Sequence, residues 1–214
     1  MNLINKRFKT IEDLNSKIFE EILSIIKVNN RSLFILSGGN SPRHLFKIIS
    51  QNKKNFKEAT FLMSDERLVN IEDQNSNEGE FIRLSNISKN NLISLHDKKI
   101  AHKLKDITSY DIAILGMGED GHFASIFPNC VNTSKALNSQ NSVILFDDEH
   151  LNFSRRSLSL NEILKSKKII LIASSKSKQS VLKHQSGLPI HDLLKRSSSR
   201  ITILIAIKKI IYLE

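Results

Sequence analysis

Short, unbroken apolar runs that stop abruptly at glycine-rich or charged loops leave this chain few ways to fold. Leu33-Phe34-Ile35-Leu36 gives way to Ser37-Gly38-Gly39-Asn40-Ser41-Pro42, the run 60–63 to Ser64-Asp65-Glu66-Arg67, and the run 112–115 to Gly116-Met117-Gly118. Runs of this length without polar alternation suit strands buried on both faces. Further strands are expected over 92–95, 143–146, 157–160, 169–173 and 201–206. Between them the apolar period changes. Ile11, Leu14, Ile18, Phe19, Ile22, Leu23, Ile25 and Ile26 trace one helical face, and Leu45, Phe46, Ile48 and Ile49 another. Helices are also expected over 76–85, 161–166, 175–185 and 190–196. Strands alternating with helices predict an α/β fold, a mostly parallel sheet with helices on both faces. The 214 residues are expected to form a single domain, 1–214.

Open parallel sheets bind ligands at the carboxyl ends of their strands, and three polar loops fall there. In the first, adjacent Gly38 and Gly39 permit close backbone approach, and Ser41-Pro42 reads as an N-cap followed by the first helical residue. The free N–H groups of such a helix start attract anions, although a plain strand-to-helix turn has the same composition. In the second, Arg67 could grip a phosphate or carboxylate through paired hydrogen bonds. Asp65 could accept from a substrate hydroxyl or orient another side chain. A solvated loop with a local ion pair is the plainer alternative. The third, Gly116-Met117-Gly118-Glu119-Asp120-Gly121-His122-Phe123-Ala124-Ser125-Ile126-Phe127-Pro128, carries a histidine in a flexible loop. An imidazole titrates near ~6.5 and can take and return a proton at neutral pH. The glycines also fit the dinucleotide fingerprint, but Pro128 interrupts the long helix that motif needs. The acidic residues Asp147 and Asp148 stand too far on.

Charge and composition narrow the partners. The net charge is +10, yet the basic residues are scattered and there are two Tyr and no Trp for base stacking, so no nucleic-acid partner is expected. No apolar run is long enough for a signal peptide or membrane span, and a lone cysteine, Cys130, suits a reducing compartment. A cytoplasmic location follows as the expectation. His96 and His102 show no recognised ligand spacing, so no metal site is expected.

Together the three loops resemble the 6-phosphogluconolactonases. That family shows S-G-G-S-T-P, then D-E-R with S-N further on, then G-M-G-x-D-G-H-x-A-S-L-F-P. Here the same order reads SGGNSP, SDERLVNIEDQNSN and GMGEDGHFASIFP. Arg155-Arg156-Ser157-Leu158-Ser159-Leu160 is similar to the family's R-I-T-L-T-L strand, with Arg155 at the family arginine. Lys178 stands at the family lysine, and Leu188-Pro189 matches its L-P element. Asn40 and Ser41 replace Ser and Thr, Ser175 a Gly, and Asn161 a Pro. Ala206 stands near an acidic position. The resemblance implies a Rossmann-like fold shared with sugar-phosphate isomerases. It also implies hydrolysis of 6-phospho-D-glucono-1,5-lactone in the pentose phosphate pathway, without metal or organic cofactor. It makes His122 the base, with Asp65 orienting it or a substrate hydroxyl. Gly38, Gly39, Asn40, Ser41, Arg67, Gly118, Asp120, Arg155 and Lys178 become the substrate and phosphate site. The expected partner is the small lactone, and the expected state a monomer or weak homodimer. The alternatives are a glucosamine-6-phosphate deaminase, a family that shares the fold and a D-G-H segment but continues it as A-F-N-E-P, and a non-catalytic sugar-phosphate-binding protein, against which the presence of His122 argues.

Overall fold

The computed structural model describes residues 4–29, 31–183, 187–197 and 200–206. In chain order the elements are β1 (Ile4–Phe8), α1 (Ile11–Val28), β2 (Ser32–Leu36), α2 (Arg43–Gln51), β3 (Ala59–Met63), β4 (Asp65–Arg67), α3 (Asn77–Ser85), β5 (Leu92–Ile93) and α4 (Ile100–Lys105). There follow β6 (Ile112–Gly116), α5 (Thr133–Asn138), β7 (Val143–Phe146), β8 (Arg155–Leu158), α6 (Leu160–Ile163), β9 (Ile169–Ile172), α7 (Lys176–Lys183), α8 (Pro189–Arg196) and β10 (Ile201–Ala206).

Seven strands form one sheet in the order β1-β10-β9-β6-β2-β3-β5. Every described pairing in it is parallel. All residues of β9 and β10, and all of β6 up to Leu115, are buried. Strands without an exposed face must be covered on both sides, which explains the unbroken apolar runs. α1 packs on α2 and α2 on α3, while α5 packs on α6 and α8. α1 sets Leu14, Ile18 and Ile22 into the core at the i, i+4 spacing, and Thr10 starts it by accepting from the Asp13 N–H at 3.0 Å. Phe34, Phe61, Phe81 and Phe46 pack in series, with successive ring centroids 5.6, 5.0 and 5.1 Å apart. This aromatic seam anchors β2 and β3, the two strands that carry the first two loops.

Several sequence expectations need correction. The segment after β3 is not merely a loop: Asp65–Arg67 forms β4, the edge of a small antiparallel sheet ordered β4-β8-β7. Three charged residues carry no strand pattern, and their partner lies some ninety positions on. β8 begins at Arg155, and the chain turns into α6 at Leu160, because the Ser159 side chain accepts from the Glu162 N–H. Ser41 does not cap α2. Pro42 occupies the cap position without a side-chain bond, and the carbonyl of Ser41 accepts from Asn15 Nδ2 at 2.9 Å. β1, α4 and α5 are short and weakly apolar and were not foreseen. The helix expected over 175–185 appears as α7, with 184 and 185 outside the described residues. Among the described residues no helix is long and apolar enough to cross a membrane.

Candidate active site

Four neighbouring parallel strands, β9, β6, β2 and β3, end at one edge of the sheet. The loops that leave them enclose a cleft of about 430 Å³. Gly38, Gly39, Asn40 and Ser41 line it from the β2 loop, Gly118 and His122 from the β6 loop, Asp65 and Arg67 from β4, Arg155 from β8, and Lys178 from α7. Ser37 closes the seam between two of these loops by accepting from the Gly116 N–H at 2.9 Å. A wider groove of about 630 Å³ near the amino ends of β2 and β6 holds Asp111, ion-paired to Lys167, and no histidine.

His122 is held by Asp120. Its Nδ1 lies 2.6 Å from Asp120 Oδ1, and the same oxygen accepts from the His122 backbone N–H at 3.2 Å. A carboxylate accepts, so Nδ1 is the donor, and in the neutral imidazole Nε2 is the nitrogen with the free lone pair. This pair explains Gly118: a Cβ there would stand 2.2 Å from His122 Nδ1 and 2.3 Å from Asp120 Oδ1. On its other side the imidazole packs against Phe127, with centroids 4.5 Å apart. Ala124, two residues beyond the histidine, is held at φ 48°, a left-handed conformation unusual for a residue with a Cβ.

Of the two partners expected for Asp65, the histidine is not met. Its Oδ2 accepts from Ser125 Oγ at 2.6 Å and its Oδ1 from Ser64 Oγ at 3.1 Å. It therefore ties β4 to the segment just after the histidine, while Asp120 is the carboxylate that contacts the imidazole. Asp120 in turn, grouped with the substrate residues from sequence, meets the imidazole and does not line the cleft.

The cations are arranged by strand geometry. β4 and β8 are antiparallel with Arg67 directly opposite Arg155. Successive side chains of β8 alternate, so Arg155 faces the cleft while Arg156 donates to the carbonyls of Leu95 and Asp97 at 2.6 and 3.0 Å. Arg67 Nη1 donates to Asn77 Oδ1 and to the Asn75 carbonyl, both at 2.9 Å. The Arg155 guanidinium lies 5.2 Å from the Phe127 centroid, and burial pulls its pKa below the usual arginine value. The Nε atoms of both arginines are buried without a hydrogen-bond partner. Lys178 lies in the first turn of α7, where its N–H donates to Ser175 Oγ at 3.2 Å. The serine that replaces the family glycine thus serves as a cap. Ser175 and Ser177 also donate to Glu119, whose pKa they lower.

Asn77, the asparagine of the S-N pair that follows D-E-R, also lines the cleft. Its Nδ2 donates to the Asp65 carbonyl at 2.9 Å, and a Cβ on Gly38 would lie 2.2 Å from its Oδ1. The S-N spacing was the signal that could have found it. Glu66, Glu78 and His96 also come together, with one potential ligand atom from each within 4.8 Å of the others. Both carboxylates are already occupied by internal donors: Glu66 by three backbone N–H groups and Ser76, Glu78 by Ser94 and the Leu95 N–H. Burial raises both of their pKa values. Cys130 is buried, and desolvation with Asp148 nearby pushes its thiol up to about 11.

Residues 5–191 match the family described as glucosamine-6-phosphate isomerases/6-phosphogluconolactonase, and the chain belongs to that family. It is similar to a 6-phosphogluconolactonase from Aggregatibacter actinomycetemcomitans, 27% identical over 212 residues, covering 90% of this chain and 89% of that one. Its fold is similar to the crystal structure of a 6-phosphogluconolactonase from Shewanella baltica, with TM-score 0.82, 22% identity and 96% and 98% of the two chains covered. It is also similar to that from Leishmania guyanensis, with TM-score 0.83, 21% identity and 96% and 97% covered.

Proposed function

We propose that the protein hydrolyses 6-phospho-D-glucono-1,5-lactone to 6-phospho-D-gluconate, as a cytoplasmic enzyme of the oxidative pentose phosphate pathway. The observation that carries this reading is the placement of the Asp120-held His122 in the same cleft as Arg67, Arg155 and Lys178. A lactone needs a water activated at its carbonyl carbon and a proton for the departing ring oxygen. With Nδ1 engaged, Nε2 of His122 removes a proton from water as the hydroxide adds to the carbonyl. The imidazolium, steadied by Asp120, then gives that proton to the ring oxygen as the C–O bond breaks. Such acid–base catalysis contributes roughly 10²–10⁴-fold. Backbone N–H groups of the glycine loops are the donors available to the carbonyl oxygen as it gains charge.

The phosphate acts away from the reacting bond, as an anchor. Two arginines with unpaired buried Nε groups and a lysine in a helix's first turn supply charge, and the 38–41 loop supplies donors. In this reading Asp65 braces the loop that follows His122. The test is lactone generated in situ, followed with and without protein, because the lactone also opens spontaneously. Hydrolysis above the blank is expected, with no ammonia released from glucosamine 6-phosphate. Ammonia release without lactone hydrolysis would move the protein to the deaminase branch of its family.

A further inference from the structure

We infer that Glu66 is a positioning residue for phosphate binding, acting through Arg67 and Asn77 and never touching substrate. This rests on the reading of Arg67 as a phosphate ligand. Glu66 points to the opposite face of β4 from Arg67, and its side chain is fully buried. A charged group is expensive to bury and is retained where its partners compensate for lost water. Here one oxygen, Oε1, accepts from the backbone N–H of Arg67 at 2.6 Å and from that of Asn77 at 2.8 Å. These are the two residues whose side chains then meet on the cleft side, Arg67 Nη1 to Asn77 Oδ1 at 2.9 Å. The second oxygen, Oε2, accepts from Ser76 Oγ at 3.0 Å and from the Glu78 N–H at 2.5 Å. One carboxylate therefore fixes the end of β4 and the start of α3 relative to each other. The Asn77 amide carried by the second segment stands against Gly38 and accepts from Arg67 of the first.

β4 has three residues, and the chain between Arg67 and Ser76 is a run of turns. A neutral amide at position 66 keeps the size of the side chain. It offers only one oxygen to accept, however, so at least one pair of donors loses its partner. The expected consequence is a misplaced guanidinium and an intact histidine.

The experiment is a cycle of Glu66→Gln, Arg67→Ala and the double variant, each assayed for lactone hydrolysis. Glu66→Gln should raise KM about tenfold or more with kcat changed by less than about threefold, the signature of lost uniform binding. The double variant should fall within about twofold of Arg67→Ala alone, because the two residues act as one unit. An unchanged KM in Glu66→Gln, or additive losses in the double variant, would overturn the inference. If Arg67→Ala itself left KM unchanged, the phosphate assignment would fail instead. Should Glu66→Gln not fold, Asn77→Ala takes its place in the cycle. It removes the last link while sparing the Glu66 carboxylate, and additivity with Arg67→Ala would again overturn the inference.

Discussion

Arg67 and Arg155 are direct cross-strand partners in the β4–β8 pair, and the Nε of each is buried without a partner. Like charges placed opposite one another destabilise a sheet, and buried unpaired donors add to that cost. An anion seated between the arms would resolve both. This arrangement supports the proposed role of the cleft in holding a phosphate. It comes from the antiparallel register and not from either motif alone.

Lys178→Ala should act on binding. A charge-assisted hydrogen bond contributes about 1.5–3 kcal/mol, so KM is expected to rise roughly tenfold or more with kcat little altered. Steady-state kinetics decides the matter. A large fall in kcat at unchanged KM would place Lys178 in the chemistry instead.

Asp120→Asn should act on turnover. The amide can present either its oxygen or its NH₂ group to Nδ1, so the tautomer that frees Nε2 is no longer enforced. The expected result is a fall in kcat of about tenfold or more, smaller than the loss on removing the imidazole. Equal kcat in variant and parent would show that the 2.6 Å contact is incidental.

Gly38→Ala should damage both stability and binding. The new methyl would overlap the Asn77 amide, so Asn77 must move and release Arg67. Overpacking of this kind costs about 1–3 kcal/mol. Denaturant melts and KM should shift together, and a variant with parental values in both would contradict the packing described.

Cys130 should be dispensable. With its thiol pushed up to about 11, on the order of a few parts in ten thousand is thiolate at pH 7.5. Iodoacetamide at that pH should leave hydrolysis intact, as should Cys130→Ala. Rapid inactivation protected by substrate would argue for a thiol mechanism.

The parallel sheet was readable from its apolar runs because burial on both faces writes itself into every position of β6, β9 and β10. The placement of His122 and the glycine loops at the carboxyl ends of β6 and β2 was readable because each loop directly follows its apolar run. The small sheet was not. Asp65, Glu66 and Arg67 carry no strand pattern, and only the distant Arg155–Leu158 segment makes them one. Asp65 is expected to orient the histidine or a substrate hydroxyl; its carboxylate lines the cleft and engages Ser125 and Ser64, not the imidazole. Asp120 was assigned to substrate because spacing of two along a loop does not reveal that the side chain folds back onto His122. Glu66 and Asn77 went unchosen for a related reason: their importance lies in hydrogen bonds between segments ten or more residues apart.

The most direct test compares blank-corrected hydrolysis of 6-phospho-D-glucono-1,5-lactone by the parent protein and by His122→Ala, with 6-phospho-D-gluconate binding measured on both. The account predicts a loss of about a hundredfold or more in turnover with product binding retained. A folded His122→Ala protein that hydrolysed the lactone at the parental rate would contradict it.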